Sequence, residues 1–167
     1  MNDIAPRHTG GCQCGAVRFA LAADPAPATI CHCRICQKAT GNFFAPLAGA
    51  RRADLTWTRG APAFFASSDI VERGFCANCG TPLTFAYVDG DAIELAVGAF
   101  DRPEALRVVE QIWTSARLAA FDGLHTLPAR REDEPGYEGA VASAAATNHQ
   151  HPDHDTEGWT PRPCRRG

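Results

Sequence analysis

Up to about residue 113 the chain alternates apolar and polar residues in short stretches. Val17, Phe19 and Leu21 are separated by smaller or polar residues, and so are Leu55 and Trp57 in "LTWTR". The same period of two recurs at Leu83, Phe85 and Tyr87, and again at Ile93, Leu95 and Val97. Alternation of this kind, bounded by Gly, Pro, Asn or Asp, marks half-buried strands. Asp89-Gly90 lies between two such runs and predicts a hairpin. Seven or eight strands are expected, mainly antiparallel, with little helix. Only a turn after Cys33 or Cys36 and another around "TSARLAAF" read as helical.

The alternation stops near Pro128. From Ala129 onward the chain is rich in Ala, Pro, Gly and charge and poor in large apolar residues. Such a segment lacks the apolar surface to offset the entropy of ordering. The expected organisation is one domain over residues 8–128 and a disordered C-terminal tail over 129–167. In that tail His149, His151 and His154 are expected to be flexible and solvated, and Cys164 to be a free thiol.

Composition narrows the classes. A chain of 167 residues that is 45% hydrophobic is long enough to bury a core without disulfides. The net charge of −3, the single lysine (Lys38) and the scattered arginines argue against a nucleic-acid partner. No apolar run approaches the ~20 residues needed to cross a bilayer, so no membrane partner is expected. "MNDIAPRHTG" lacks the basic start and apolar stretch of a secretory signal, which makes the cytoplasm the expected location. There most thiols stay reduced, and the close C-x-C spacings suit disulfides poorly. Metal is the better use for these cysteines.

Apart from Cys164, seven remain: Cys12, Cys14, Cys31, Cys33, Cys36, Cys76 and Cys79. "CANCG" puts two sulfurs on a tight turn, and the glycine after Cys79 permits the left-handed backbone that aims N–H groups at them. That is half a site. "GGCQCG", with glycines on both sides, could bend to supply the other half; two of the central three cysteines could do so as well. Pairing Cys12 and Cys14 with Cys76 and Cys79 leaves Cys31, Cys33 and Cys36 together. This is the economical division, though spacing alone leaves both open. A four-cysteine zinc is closed and contributes to folding, whereas a three-thiolate zinc keeps a position for a substrate thiol. His32 lies between two of the three cysteines and points away from them in an extended chain. His125 reads as a surface or hydrogen-bonded core residue.

Together "GGCQCGAVRF", "CHCRICQKATG", "FCANCGTPL" and "GAFDRP" resemble the glutathione-dependent formaldehyde-activating enzyme family, also called centromere protein V-like. The resemblance implies a mainly β fold, the Mss4-like β-tent of short antiparallel sheets. It also implies two zinc ions per chain. A structural zinc would sit on Cys12, Cys14, Cys76 and Cys79, and a catalytic zinc on Cys31, Cys33 and Cys36. The implied activity is that of a carbon–sulfur lyase acting on adducts of glutathione, the co-substrate, with formaldehyde. Family members often carry a basic residue and a tryptophan late in the domain, where Arg117 and Phe121 stand here.

Two other readings compete with the enzyme: a non-catalytic zinc module that carries glutathione or its conjugates, and a zinc-ribbon-like interaction domain with two inert metals. For the enzyme, Lys38 or a nearby arginine is a candidate partner for a substrate carboxylate. Gln37 reads as a hydrogen-bond donor behind the metal ligands or as a turn residue. No general base stands out.

Overall fold

Each alternating run becomes a strand. The computed structural model describes residues 8–131, 133–136 and 139–164. Strands β1 (His8–Gly11), β2 (Arg18–Leu21) and β5 (Leu55–Arg59) form a three-stranded antiparallel sheet with β2 in the middle. A seven-stranded sheet is built from β3 (Ala28–Cys31), β4 (Ala45–Arg51), β6 (Ala63–Ser68), β7 (Val71–Phe75), β8 (Pro82–Tyr87), β9 (Ala92–Ala96) and β10 (Val108–Ile112). Its order is β10-β3-β4-β9-β8-β7-β6, antiparallel throughout except where β10 runs parallel to β3. The protein is therefore mainly β, with ten strands among the described residues where the alternation alone suggested seven or eight. The hairpin at Asp89-Gly90 joins β8 to β9, and Gly90 N–H donates to the Tyr87 carbonyl at 3.1 Å.

The core holds the predicted residues: Phe19, Leu21, Leu83 and Leu95 are fully buried. Phe19 meets Trp57 and Phe100 edge-on, with centroids 6.1 and 5.2 Å apart. This geometry suits the positive edge and negative face of aromatic rings. Tyr87, at the end of the same alternation in β8, is exposed.

The helical expectation holds in position. Helix α1 (Arg34–Thr40) starts after Cys33, which caps it by accepting the Cys36 N–H, and stops at Gly41 in the left-handed region (φ 62°). The "TSARLAAF" stretch forms two 3-10 turns, Thr114–Ala116 and Ala119–Thr126. A second short helix, α2 (Ala140–Ala146), falls within the segment expected to be tail. No helix among the described residues is long and apolar enough to cross a membrane.

The far end of that segment also differs from the expectation of a disordered tail. His151 is 3% exposed rather than solvated, and its N–H donates to the Gln13 carbonyl at 2.7 Å. Trp159 donates its indole N–H to the Cys14 carbonyl at 2.8 Å. Polar anchors to backbone, rather than apolar burial, hold this segment. His149, His154 and Cys164 are exposed.

Candidate metal centres and the adjoining cavity

The loop after β1 and the turn after β7 carry Cys12, Cys14, Cys76 and Cys79 to one point. Their sulfurs all lie within 4.8 Å of one another. Cys12 and Cys14 sulfurs are 3.6 Å apart, and Cys14 and Cys76 sulfurs 3.9 Å. A tetrahedral ion with ~2.3 Å metal–sulfur bonds needs sulfur–sulfur edges of about 3.8 Å, so the cluster fits a four-thiolate metal.

Both loops are preformed by backbone hydrogen bonds. Gly80 N–H reaches the Cys76 carbonyl at 2.8 Å, and Gly15 N–H reaches the Cys12 carbonyl at 3.0 Å. Gly15 and Gly80 take φ of 72° and 80°, the left-handed backbone that a Cβ would strain. Val17 N–H and the Asn78 amide donate to the sulfurs of Cys12 and Cys14 at 3.2 and 3.1 Å.

The other three thiols converge separately. Cys31 ends β3, Cys33 caps α1, and Cys36 lies in the first turn of α1. Their sulfurs also lie within 4.8 Å of one another. His32 turns away: its ring packs edge-on to Phe121 at 4.8 Å, and Nε2 pairs with the Gln111 side-chain oxygen at 3.0 Å. His32 Nδ1 has no partner among the described residues. His125 is exposed and belongs to neither cluster. Phe121 supports His32 rather than the sulfurs, and Arg117 pairs with Asp122 at 3.1 Å.

Burial opposes ionisation at six of these thiols, and the exceptions to its direction are local. It pushes Cys31 up to about 12 and raises Cys12 and Cys76 as well. Burial also opposes ionisation of Cys33 and Cys79. For Cys33 the N–H groups of Cys36 and Ile35 and the neighbouring thiols outweigh it and hold the pKa below the ordinary value. For Cys79 the hydroxyl and N–H of Thr81 bring it down to about 6. Ionising thiols buried this deeply requires positive charge nearby, which a divalent ion bound at either cluster would supply. Cys36, raised chiefly by burial, has a cationic neighbour already: Arg73 donates to its sulfur at 3.3 Å.

Two residues behind the three-thiol cluster organise it. Gln37 is buried, and its amide donates to the His32 carbonyl at 2.8 Å and to the Ala116 carbonyl at 3.0 Å. It thus staples the segment holding Cys31 and Cys33 to the 3-10 turn beyond β10. Gln37→Leu removes both bonds and leaves two carbonyls without a donor, at about 1–3 kcal/mol for each group left unsatisfied. We expect lower stability in chemical denaturation together with weaker metal binding at the three-cysteine cluster. Metal affinity of the four-cysteine cluster should not change.

Arg73 is one residue that sequence reasoning missed. It stands on β7, places its guanidinium 4.9 Å above the Phe85 ring and bonds Ser67 at 3.2 Å. Nothing in "VERGF" distinguishes it from a solvated strand arginine; only the register, which sets β7 beside β8, brings it under α1.

A cavity of about 680 Å³ adjoins the cluster, its walls including Arg34, Ile35, Lys38, Leu47, Phe65 and Arg73. None of the three cysteines lines it; Arg73, which donates to the Cys36 sulfur, and Leu47, which packs with Cys31 and Cys36, join cavity to cluster. Arg34, Lys38 and Arg73 give it three cationic side chains, and among the described residues no carboxylate lines it. Its volume suits a small molecule of several functional groups.

A mainly β chain with one four-cysteine and one three-cysteine cluster defines a narrow class. Residues 7–116 match the family described as glutathione-dependent formaldehyde-activating enzyme, and the chain belongs to that family. It is similar to an uncharacterized lyase of Schizosaccharomyces pombe, with 31% identity over 85 residues. That match covers 51% of this chain and 61% of the yeast protein, so the chain spans less than two thirds of this relative. A crystal structure of a Rhodobacter sphaeroides protein shares 26% identity with a TM-score of 0.48, over 62% of this chain and 98% of that one.

Proposed function

We propose that the protein is a zinc-dependent carbon–sulfur lyase. Its substrate would be the adduct of glutathione, or a similar small thiol, with an aldehyde such as formaldehyde. One observation carries this reading: three thiols without a fourth side-chain donor among the described residues stand beside a cation-walled cavity. Membership of the family and a relative named as a lyase support it. Zinc suits soft thiolate ligands and, when bound, favours the thiolate form of an incoming thiol.

The chain's own residues supply orientation and charge. Arg34 and Lys38 lie one helical turn apart on α1, where both can meet carboxylates of a peptide thiol. Arg73 draws the substrate's anionic end toward Cys36. In the condensing direction the thiol sulfur bonds to the aldehyde carbon and the C=O π pair moves to oxygen. That oxygen takes up one proton, replacing the one the thiol releases.

Glu94 lies outside the cavity's lining, on the sheet face of Arg73, and would exchange that proton through an intervening water. Paired with Phe85, which in turn pairs with Arg73, it shares their face of the sheet. Burial raises its pKa against the pull of Arg73, and an acid–base group works best with a pKa near the working pH.

The test is exchange-resolved NMR of glutathione and formaldehyde with the zinc-loaded chain. Adduct formation faster than the spontaneous rate, in proportion to enzyme, is expected. Stoichiometric thiol binding without acceleration would favour the carrier, and no response to thiol would contradict both. In the same assay Arg73→Met should lower kcat/KM about 10- to 100-fold. Hydrogen bonds to charged groups contribute about 1.5–3 kcal/mol, and each 1.36 kcal/mol is about tenfold in rate.

A further inference from the structure

The four-cysteine cluster has a cover that the proposed chemistry does not use. Residues 150–164 lie across both cysteine-bearing loops. On the first loop, His151 N–H bonds the Gln13 carbonyl at 2.7 Å and the Trp159 indole bonds the Cys14 carbonyl at 2.8 Å. On the second, Asn78 is the joint. Its side-chain amide donates both to the Cys14 sulfur at 3.1 Å and to the Arg162 carbonyl at 2.7 Å. Its side-chain oxygen accepts the Cys164 N–H at 3.1 Å, and its backbone carbonyl accepts from the Cys164 thiol.

The cover is also fitted to the surface beneath it. A Cβ at Gly15 would collide with the rings of His151 and Trp159, which pack edge-on with centroids 4.8 Å apart. Asp155 reaches the buried Arg18 guanidinium at 2.7 Å, alongside that group's bonds to Asp101 at 2.7 and 2.6 Å. Arg59 holds both the carbonyl and the hydroxyl of Thr156. Every anchor lies beyond residue 116, where the family match ends.

We infer that residues 150–164 are a strap that locks the ion of the four-cysteine site in place, so that exchange requires the strap to lift. This rests on the reading of that cluster as a four-thiolate metal site, which its sulfur geometry fits. A competing chelator must reach a sulfur. Cys12, Cys14 and Cys76 are buried and Cys79 is half-buried, and the strap holds the Cys14 loop and Asn78, the neighbour of Cys79, directly. None of the strap's hydrogen bonds among the described residues goes to Cys31, Cys33 or Cys36. Its effect is therefore confined to one of the two sites. The few apolar residues in the strap favour reversible attachment, since each polar anchor contributes only modestly in water.

Zinc transfer to an excess of chromogenic chelator tests this in the full-length chain, in the His151→Ala/Trp159→Ala double variant and in a chain ending at His149. Two phases are expected from the full-length chain: a fast one from the three-cysteine cluster and a slow one from the four-cysteine cluster. Both altered proteins should speed the slow phase at least tenfold and leave the fast phase unchanged. An unchanged slow phase in the double variant would overturn the strap, and so would an equal acceleration of both phases. A full-length chain with no slow phase would overturn it together with the metal reading.

Discussion

Cys76→Ser is expected to yield a chain with no cooperative unfolding transition and no metal at the four-cysteine cluster. Cys76 is 1% exposed and packs in the main core with Phe19 and Leu83. It also joins the turn after β7, in the seven-stranded sheet, to the loop after β1, in the three-stranded sheet. Structural zinc contributes about 10–16 kcal/mol of apparent binding free energy, while a whole domain is stable by only about 5–15 kcal/mol. Serine keeps nearly the shape but is a far poorer ligand for zinc. The three remaining thiols would then face burial without a bound charge. Calorimetry and near-ultraviolet circular dichroism, read beside metal content, check this outcome. A sharp transition close to that of the unaltered chain would show that the cluster is not a folding element.

Cys33→Ser is expected to do the opposite: the fold survives and activity falls to the spontaneous rate of adduct formation. Cys33 is half-buried, and its local duty is to cap α1 by accepting the Cys36 N–H at 3.3 Å. Serine is among the favoured residues at that position, so the helix start should persist. The cluster links only residues 31 to 36, a short loop whose closure adds little to chain stability. What goes is the third thiolate, and with it the metal and the several kcal/mol of rate acceleration that an orienting metal provides. The unfolding free energy should change by less than about 2 kcal/mol, a typical single-residue effect, while one of the two expected metals is lost. If Cys33→Ser unfolds as Cys76→Ser does, the division of seven cysteines into four and three is wrong.

The sequence showed unevenly what the structure holds, for physical reasons. Alternation located β2, β5, β8 and β9 and the buried Phe19 and Leu95, but in β8 the exposed Tyr87 and the buried Thr84 and Ala86 depart from the period. The grouping of seven thiols into four and three was legible because side chains that meet at one point must come from turns able to converge, and Gly15 and Gly80 mark two of those turns. Arg18 was not legible. The alternation places it on the outer face of β2, yet it is 2% exposed because Asp101 and the strap residue Asp155 cover it. The strap itself escaped a composition argument, which weighs apolar surface and overlooks single polar anchors such as Trp159 to the Cys14 carbonyl. Arg73 escaped because its role comes from strand register, which no local pattern encodes. Glu94 is hidden in the same way.

The central claim is that one cysteine cluster is closed and the other open to a thiol. Zinc content of the purified chain, followed while glutathione is titrated in the presence of a chromogenic chelator, tests it most directly. The account predicts two zinc ions per chain, one whose accessibility to the chelator changes with glutathione and one that does not respond. A single zinc per chain, or two that both ignore glutathione, would contradict it.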